Sequence, residues 1–157
     1  MTASFLILRI GDSRLALPMS AVREVLPMLP IDAAPGLPPP VLGFVVLQGM
    51  PVPVLAPLPL LDPSARVEAI GLFSHLVRLR NDGPCLLVDR AEDVVGGTVA
   101  AIDPRQSLNA AIVGELPIGD DVAHVVAPDR LLLDSERATL AALTIAAAAR
   151  ADQWNAA

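Results

Sequence analysis

Residues 41–61 read VLGFVVLQGMPVPVLAPLPLL, and residues 112–132 read IVGELPIGDDVAHVVAPDRLL. Laid over one another without a gap, the two stretches match at a glycine, a valine, an Ala-Pro pair and a closing Leu-Leu pair. Each contains two short apolar runs separated by residues that favour a tight reversal, which is typical of a β-hairpin. This internal repeat predicts that the chain contains two related β-units.

A second pair of stretches repeats in the same order. Ser4–Val25 lies over Ser74–Val95, and each contains an apolar run, a turn and a second apolar run. The turns are Gly11-Asp12-Ser13 and Asn81-Asp82-Gly83, whose residue types tolerate the backbone angles of a tight reversal. We therefore predict two hairpins in each half of the sequence, with the halves at 1–70 and 71–133.

Only the C-terminal segment has the pattern of a helix. From Ser135 to about Arg150 it is rich in alanine, with Leu140 and Leu143 on one face, and Asp134 is the predicted N-cap. A β-unit of about 70 residues buries too little apolar surface to be stable alone. We therefore predict a mainly β fold that forms a single domain over 1–157, with a C-terminal helix at 135–150.

The composition argues against several classes of function. The chain has 17 acidic and 11 basic residues, and its net charge of −6 argues against nucleic acid as a partner. All the cations are arginine, so there is no P-loop lysine and no lysine for a Schiff base. Prolines and glycines interrupt the longest apolar stretch, so no membrane insertion is expected. The absence of a signal-peptide pattern and the single Cys85 favour a cytoplasmic protein.

No arrangement of residues predicts catalysis. His75 and His124 have no carboxylate or cysteine beside them at the spacing of metal ligands, and no nucleophile elbow or glycine-rich phosphate loop is present. Cys85 is interpreted as a small buried hydrophobe, because no cation stands near it in the sequence. We expect no catalytic, metal-binding or cofactor-binding residue, and a protein that is not an enzyme.

The ordered set of apolar segments resembles the CheW-like coupling domains of bacterial chemotaxis. The resemblance runs nearly from end to end, and it rests on the order of the segments because no single motif is invariant. The segments that carry it are Phe5–Leu8, Leu15–Pro18, Val22–Val25, Val41–Gly49, Val52–Leu55, His75–Val77, Leu87–Asp89, Glu92–Val95 and Pro128–Leu132.

The resemblance implies two SH3-like five-stranded β-barrels followed by a helix. It also implies a non-enzymatic adaptor that links the cytoplasmic hairpin of a chemoreceptor to the regulatory domain of a CheA-type histidine kinase. In the family, the receptor hairpin lies in the groove between the barrels, and the kinase contacts an apolar barrel end. The receptor-facing residues that the resemblance implies are Val22, Glu24, Val46, Gln48, Gly49 and Cys85.

The chain departs from the family at the turn between its second pair of apolar runs. Relatives commonly read Asn-Leu-Arg-Gly where this chain has Val46-Leu47-Gln48-Gly49, so Gln48 replaces the family arginine. Glutamine offers two donors and no charge, whereas a guanidinium offers five donors and a permanent charge. The alternative function is therefore a divergent CheW-like protein that binds the kinase or another CheW-like domain without normal receptor coupling. Such a protein would act as a competitor, a terminator or the scaffold of another pathway.

The segment from Met50 to Leu61 is rich in proline and carries no charge. It is either buried under the neighbouring barrel or exposed as an apolar patch for a partner. In the second case, the candidate contact residues are Met50, Val52 and Val54.

Overall fold

The structure is a computed structural model that describes residues 3–33, 37–38, 41–61, 74–103, 105 and 109–156, with side chains as far as residue 151. The short 3-10 turn Met19–Ala21 and the short helix α1, Pro57–Leu61, lie between strands, and a second 3-10 turn, Pro128–Arg130, lies between the last strand and the long helix. The long helix α2 spans Asp134–Ala156. The strands are β1 Ala3–Ile10, β2 Ser13–Pro18, β3 Val22–Pro27, β4 Val41–Leu47, β5 Met50–Leu55, β6 His75–Leu79, β7 Cys85–Val88, β8 Arg90–Gly97, β9 Ala100–Ala101, β10 Ile112–Ile118 and β11 Asp121–Val126.

The strands form two sheets, and each sheet takes strands from both halves of the sequence. The first sheet has the order β8-β1-β2-β11-β10-β9, and the second has the order β3-β6-β7-β5-β4. Exchanging every strand with its counterpart in the repeat converts the second order into the first, apart from the two-residue β9. The predicted fold class is confirmed as two SH3-like subdomains followed by one long helix. The exchange of strands between the halves is a feature that the repeat alone did not predict.

Two pairings join the halves within each sheet: an antiparallel one, β1 with β8 or β3 with β6, and a short parallel one. In the first sheet, Val125 of β11 lies opposite Ala16 of β2. In the second sheet, Val54 of β5 lies opposite Cys85 of β7. Val54 and Val125 are matched residues of the repeat, so the two junctions are equivalent. In each sheet, a hairpin of one half thus lies between strands of the other half: β1–β2 lies between β8 and β11, and β6–β7 lies between β3 and β5.

The core is divided into a central cluster and one smaller cluster in each subdomain. The central cluster draws on both sheets and on α2, and it includes Leu8, Leu17, Leu55, Val77 and Leu140. In β1, successive side chains point to opposite faces, so Leu6 and Leu8 join the central cluster while Phe5 and Ile7 fill the first subdomain. Burial on both faces explains the continuous apolar run of this strand and the high hydrophobic content of the chain.

The prolines of β5 sit where no hydrogen-bond donor is needed. Leu47 and Met50 close a two-residue turn, so the alternating ladder places Pro51 and Pro53 at positions that are not bonded to β4. Their nitrogens therefore face the other side of β5, where β7 pairs only with Val54 and Leu55. Although β5 lies inside the sheet, its first four residues form a local edge.

Helix α2 begins as predicted but is longer and is capped differently. The carbonyl of Leu133 accepts the first helical bond, from the N–H of Arg137, at 2.9 Å. Glu136 Oε1 accepts a hydrogen bond from the N–H of Leu133 at 2.8 Å. This is half of a capping box, so the prediction that Asp134 is the N-cap was wrong. Among the described helices, none combines the length and the hydropathy that crossing a bilayer requires.

Candidate functional site

The β4–β5 turn presents two of the predicted contact residues at its tip. Gln48 and Gly49 are exposed and have φ angles of 52° and 79°, the left-handed pair that a tight two-residue hairpin turn requires. Beside them, Val46 is 68% exposed and Met50 is 58% exposed. The tip is therefore an apolar surface with one amide, and it carries no charged side chain of its own.

The same hairpin buries the other two residues of the proposed apolar patch. Val52 and Val54 belong to the inner cluster of the second subdomain, and Val54 has no exposed surface. The sequence left open whether residues 50–61 are buried or exposed as a partner surface, and these two valines are buried because alternate residues of β5 point into the subdomain. Of the three candidates, only Met50 lies on the surface, while Ala56 and Pro57 are also buried.

A cross-strand row in the second sheet brings Glu24 and Cys85 to either side of one arginine. Arg78 of β6 lies opposite Glu24 of β3 and opposite Cys85 of β7. Its Nη1 donates to Glu24 Oε1 at 3.3 Å. The cation beside Cys85 was missed in the sequence because it stands on the neighbouring strand.

Cys85 is completely buried, and burial raises the pKa of its thiol from 9.0 to about 11. Arg78 opposes this rise in pKa and Glu24 adds to it, but desolvation is the larger effect. The thiol is therefore neutral at physiological pH and packs as a small hydrophobe, as the sequence indicated. In this packing, Cys85 does not face a partner.

Val22 is also buried, and its backbone holds an arginine at the surface. Arg80 Nε donates to the carbonyl oxygen of Val22 at 2.9 Å, and the N–H of Arg80 donates to the carbonyl oxygen of Ala21 at 3.0 Å. Of the six residues that the resemblance placed toward the receptor, Glu24, Val46, Gln48 and Gly49 are exposed. The side chains of Val22 and Cys85 are buried, so they contribute to the stability of the fold.

A groove of about 970 Å³ lies beside this row. One wall is the local edge of β5, and another is the end of β6 with the turn that leads to β7. The third is the segment after β11 together with one face of α2. The residues that line the groove include Met50, Pro51, Val52, Pro53, Arg78, Arg80, Asp82, Asp129, Arg137, Leu140 and Ile145.

The groove connects some of the predicted residues and adds others that the sequence did not reveal. It runs from Met50, next to the tip, to Arg78, the partner of Glu24. Arg80, Arg137 and Ile145 were missed because they come from separate segments that only the folded chain brings together. On α2, the helical spacing from Arg137 through Leu140 to Ile145 was the available signal.

The described part of the chain contains no group of three or more His, Cys, Asp or Glu side chains placed to hold a metal ion. His75 lies in the second sheet, where its Nδ1 accepts a hydrogen bond from the N–H of Ala91 at 3.3 Å. His124 lies in the first sheet.

Comparison with known proteins agrees with this architecture. The family model described as a CheW-like domain matches residues 4–136. The chain belongs to the CheW-like domain family. A solved structure of the scaffolding protein TtCheW from Thermoanaerobacter tengcongensis is similar to this CheW-like domain, with 17% sequence identity and a TM-score of 0.70. The similarity covers 81% of this chain and 85% of that one. No curated protein sequence gives a significant match.

Membership of the CheW-like family supports a scaffold or adaptor role in signal transduction. The matched region ends at residue 136, so the α2 wall of the groove, from Arg137 to Ile145, lies beyond it.

Proposed function

We propose that this CheW-like domain is a non-enzymatic adaptor of bacterial signal transduction that acts in the cytoplasm. It links the cytoplasmic hairpin of a chemoreceptor to the regulatory domain of a CheA-type histidine kinase. In this proposal, it holds its partners in a fixed geometry and uses no bound cofactor.

The groove between the edge of β5, the β6–β7 turn and α2 is the observation that carries the proposal. Its lining is mainly apolar, and Met50 and Ile145 on its rim are 58% and 71% exposed. Apolar surface gathered in one place on a protein marks a site of association. The groove also adjoins Glu24 through Arg78 and the β4–β5 tip through Met50, so a partner bound there would reach both.

The β4–β5 tip favours the alternative function. Val46 and Gln48 provide no cation at the position where the family commonly has arginine. A chain with this tip would bind the kinase regulatory domain, or another CheW-like domain, without normal receptor coupling. It would then act as a competitor, a terminator or the scaffold of another pathway.

Separate titrations distinguish the two functions. The purified chain is titrated by calorimetry with a chemoreceptor cytoplasmic hairpin and, in a second experiment, with a CheA regulatory domain. Binding to both supports the adaptor. Binding to the kinase domain alone supports the alternative and contradicts the adaptor. Binding to neither contradicts the adaptor and the kinase-binding form of the alternative, and a third titration with another CheW-like domain then tests its other form.

A matched pair of variants shows whether the groove is responsible for any binding. Ile145→Asp places a charge in the groove, whereas Leu133→Asp places the same charge on a residue that is 69% exposed and lies outside it. Loss of binding in the first variant only places the contact in the groove. Equal effects in both variants place the contact elsewhere.

A further inference from the structure

Helix α2 is attached to the rest of the fold by little buried surface. Of its side chains as far as Ala151, only that of Leu140 is buried. The partly buried side chains are mostly small, and they belong to Glu136, Leu143, Thr144, Ala147, Ala148 and Ala151. A helix on a protein surface gains most of its stability from a wide apolar face packed on the core. In α2, this packing depends on one large buried side chain.

Empty space adjoins that side chain. Besides the groove, a cavity of about 160 Å³ lies between the first turns of α2 and the strands β4 and β5, where Val41 and Leu55 line it. Leu140 lines both the groove and this cavity. An atom that faces a void has no partner there, so it gains no dispersion attraction on that side. The one buried anchor of α2 is therefore loosely packed.

The polar side chains of α2 do not tie it to the sheets. Thr139 Oγ1 donates to the carbonyl oxygen of Ser135 at 3.0 Å, and Thr144 Oγ1 donates to the carbonyl oxygen of Leu140 at 2.8 Å. Both bonds stay within the helix. Among the residues that the structure describes, no hydrogen bond or ion pair joins α2 to either sheet. Apolar packing alone holds it in place.

The helical conformation of α2 does not depend on the sheets. Nine of its 23 residues are alanine, which has the highest helix propensity. Its length also exceeds the roughly 12–15 residues below which an isolated helix is marginal in water. The segment that precedes it passes from Leu131, buried in the central cluster, to the exposed Leu133 within two residues. A change of backbone angles at 131–133 would thus move the whole helix as one piece.

We propose that α2 is a hinged wall of the groove, which opens and closes as one helix about residues 131–133 while both sheets stay folded. Local openings of this kind occur where few buried apolar contacts hold a segment. Only the closed form completes the groove, so the closed fraction scales the apparent affinity of a partner that binds there. That consequence rests on the proposed function, whereas the opening itself does not.

Thiol labelling of the full chain under native conditions measures the opening. The unaltered chain has one thiol, Cys85, which is buried in the second sheet. Two further proteins carry Leu140→Cys or Ile145→Cys, each together with Cys85→Ala. Mass spectrometry follows the reaction of each protein with excess N-ethylmaleimide, which needs an exposed thiolate. Ile145→Cys is the matched control, because Ile145 lies on the same helix and is exposed.

The three thiols should react at three different rates. We expect Leu140→Cys to react about 10- to 100-fold more slowly than Ile145→Cys, the factor by which burial of one leucine-sized side chain favours the closed form. Cys85 should react at least about 1,000-fold more slowly than Ile145→Cys, because its exposure requires unfolding of the sheet. A low urea concentration should accelerate Cys85 strongly and Leu140→Cys little, since urea acts in proportion to the surface that opening exposes.

Two results would overturn the proposal. If Leu140→Cys reacts with the rate and the urea dependence of Cys85, α2 opens only when the whole fold unfolds. If it reacts as fast as Ile145→Cys, α2 does not close. Thr144→Cys with Cys85→Ala repeats the comparison one turn further along the helix, at a half-buried position, should Leu140→Cys fail to fold. These measurements involve neither a receptor nor a kinase, so the titrations with those proteins test the adaptor function separately.

Discussion

Arg78 Nη1 donates to Glu24 Oε1 at 3.3 Å, joining β6 to the edge strand β3. The arginine side chain is only 11% exposed, whereas the glutamate is 44% exposed. The residue that the family resemblance places toward a receptor is therefore also the counter-ion of a mostly buried arginine. If a Glu24 variant loses partner binding, its folding must be measured as well, because the substitution also removes the counter-ion of Arg78.

A double-mutant cycle on Glu24→Gln and Arg78→Gln measures the strength of this pair. We expect a coupling free energy of about 0.5–1 kcal/mol in urea denaturation, because Arg78 is mostly buried while Glu24 remains in contact with water. Glu115→Gln is the control, since Glu115 is exposed on β10 and is not ion-paired within the described residues. A coupling of zero would contradict the contact.

Alkaline pH should destabilise the fold through one thiol. Burial raises the pKa of Cys85 from 9.0 to about 11, so the unfolded chain ionises first as the pH rises. The stability that the neutral thiol contributes is complete below about pH 9 and is lost between about pH 9 and 11. The total loss is about 3 kcal/mol, and the chain has no lysine or tyrosine that titrates in the same interval.

Cys85→Ala isolates this effect. Its free energy of unfolding in guanidinium should be lower by about 1 kcal/mol at pH 7, because buried volume is lost, and nearly constant from pH 9 to 11. A wild-type stability that stays constant over the same interval would show that the thiol is not buried as described.

Local sequence signals predicted the hairpins and the C-terminal helix. Each turn has residues suited to it, such as Asn81 and Asp82, whose φ angles are 60° and 56°. Hairpin strands are neighbours in the sequence, so a turn signal fixes the pairing of both. Residue type also predicted the burial of Cys85, and the repeat predicted that the subdomains are related.

Pairing between the halves could not be predicted in this way. The parallel pairing of Val54 with Cys85 joins segments that are far apart in the sequence. Only two residue pairs form it, and no turn between the two strands specifies which residues pair. The same limit applies to the groove, whose Arg80 and Ile145 come from different elements. The sequence left the environment of Val54 open, because an apolar segment has the same composition whether it is buried or exposed.

Restoring donors to the edge of β5 should promote self-association. The double variant Pro51→Thr, Pro53→Thr places two N–H groups toward the groove, where β7 leaves this part of the strand unpaired. Analytical ultracentrifugation should detect a higher weight-average mass than for the unaltered chain at about 100 µM. Val52→Thr, whose N–H already faces β4, is the control, and an unchanged mass in the double variant would refute the donor argument.

The Gln48→Arg variant tests whether the β4–β5 tip lacks only a cation. Under the proposed adaptor function, a guanidinium at this exposed turn should strengthen binding of a chemoreceptor cytoplasmic hairpin about tenfold by calorimetry. Gln48→Ala should leave the affinity within about twofold, since it removes no charge. If Gln48→Arg has no effect, the turn does not contact the receptor.

Hydrogen–deuterium exchange of the full chain, with and without a saturating receptor hairpin, tests the central claim most directly. The claim is that the partner lies in the groove between β5, the β6–β7 turn and α2. We predict slower exchange of the amides at 78–83 and 137–145 in the complex, with little change at 90–97 on the far edge of the first sheet. Slower exchange confined to 90–97 or to other parts of the first sheet would contradict the account.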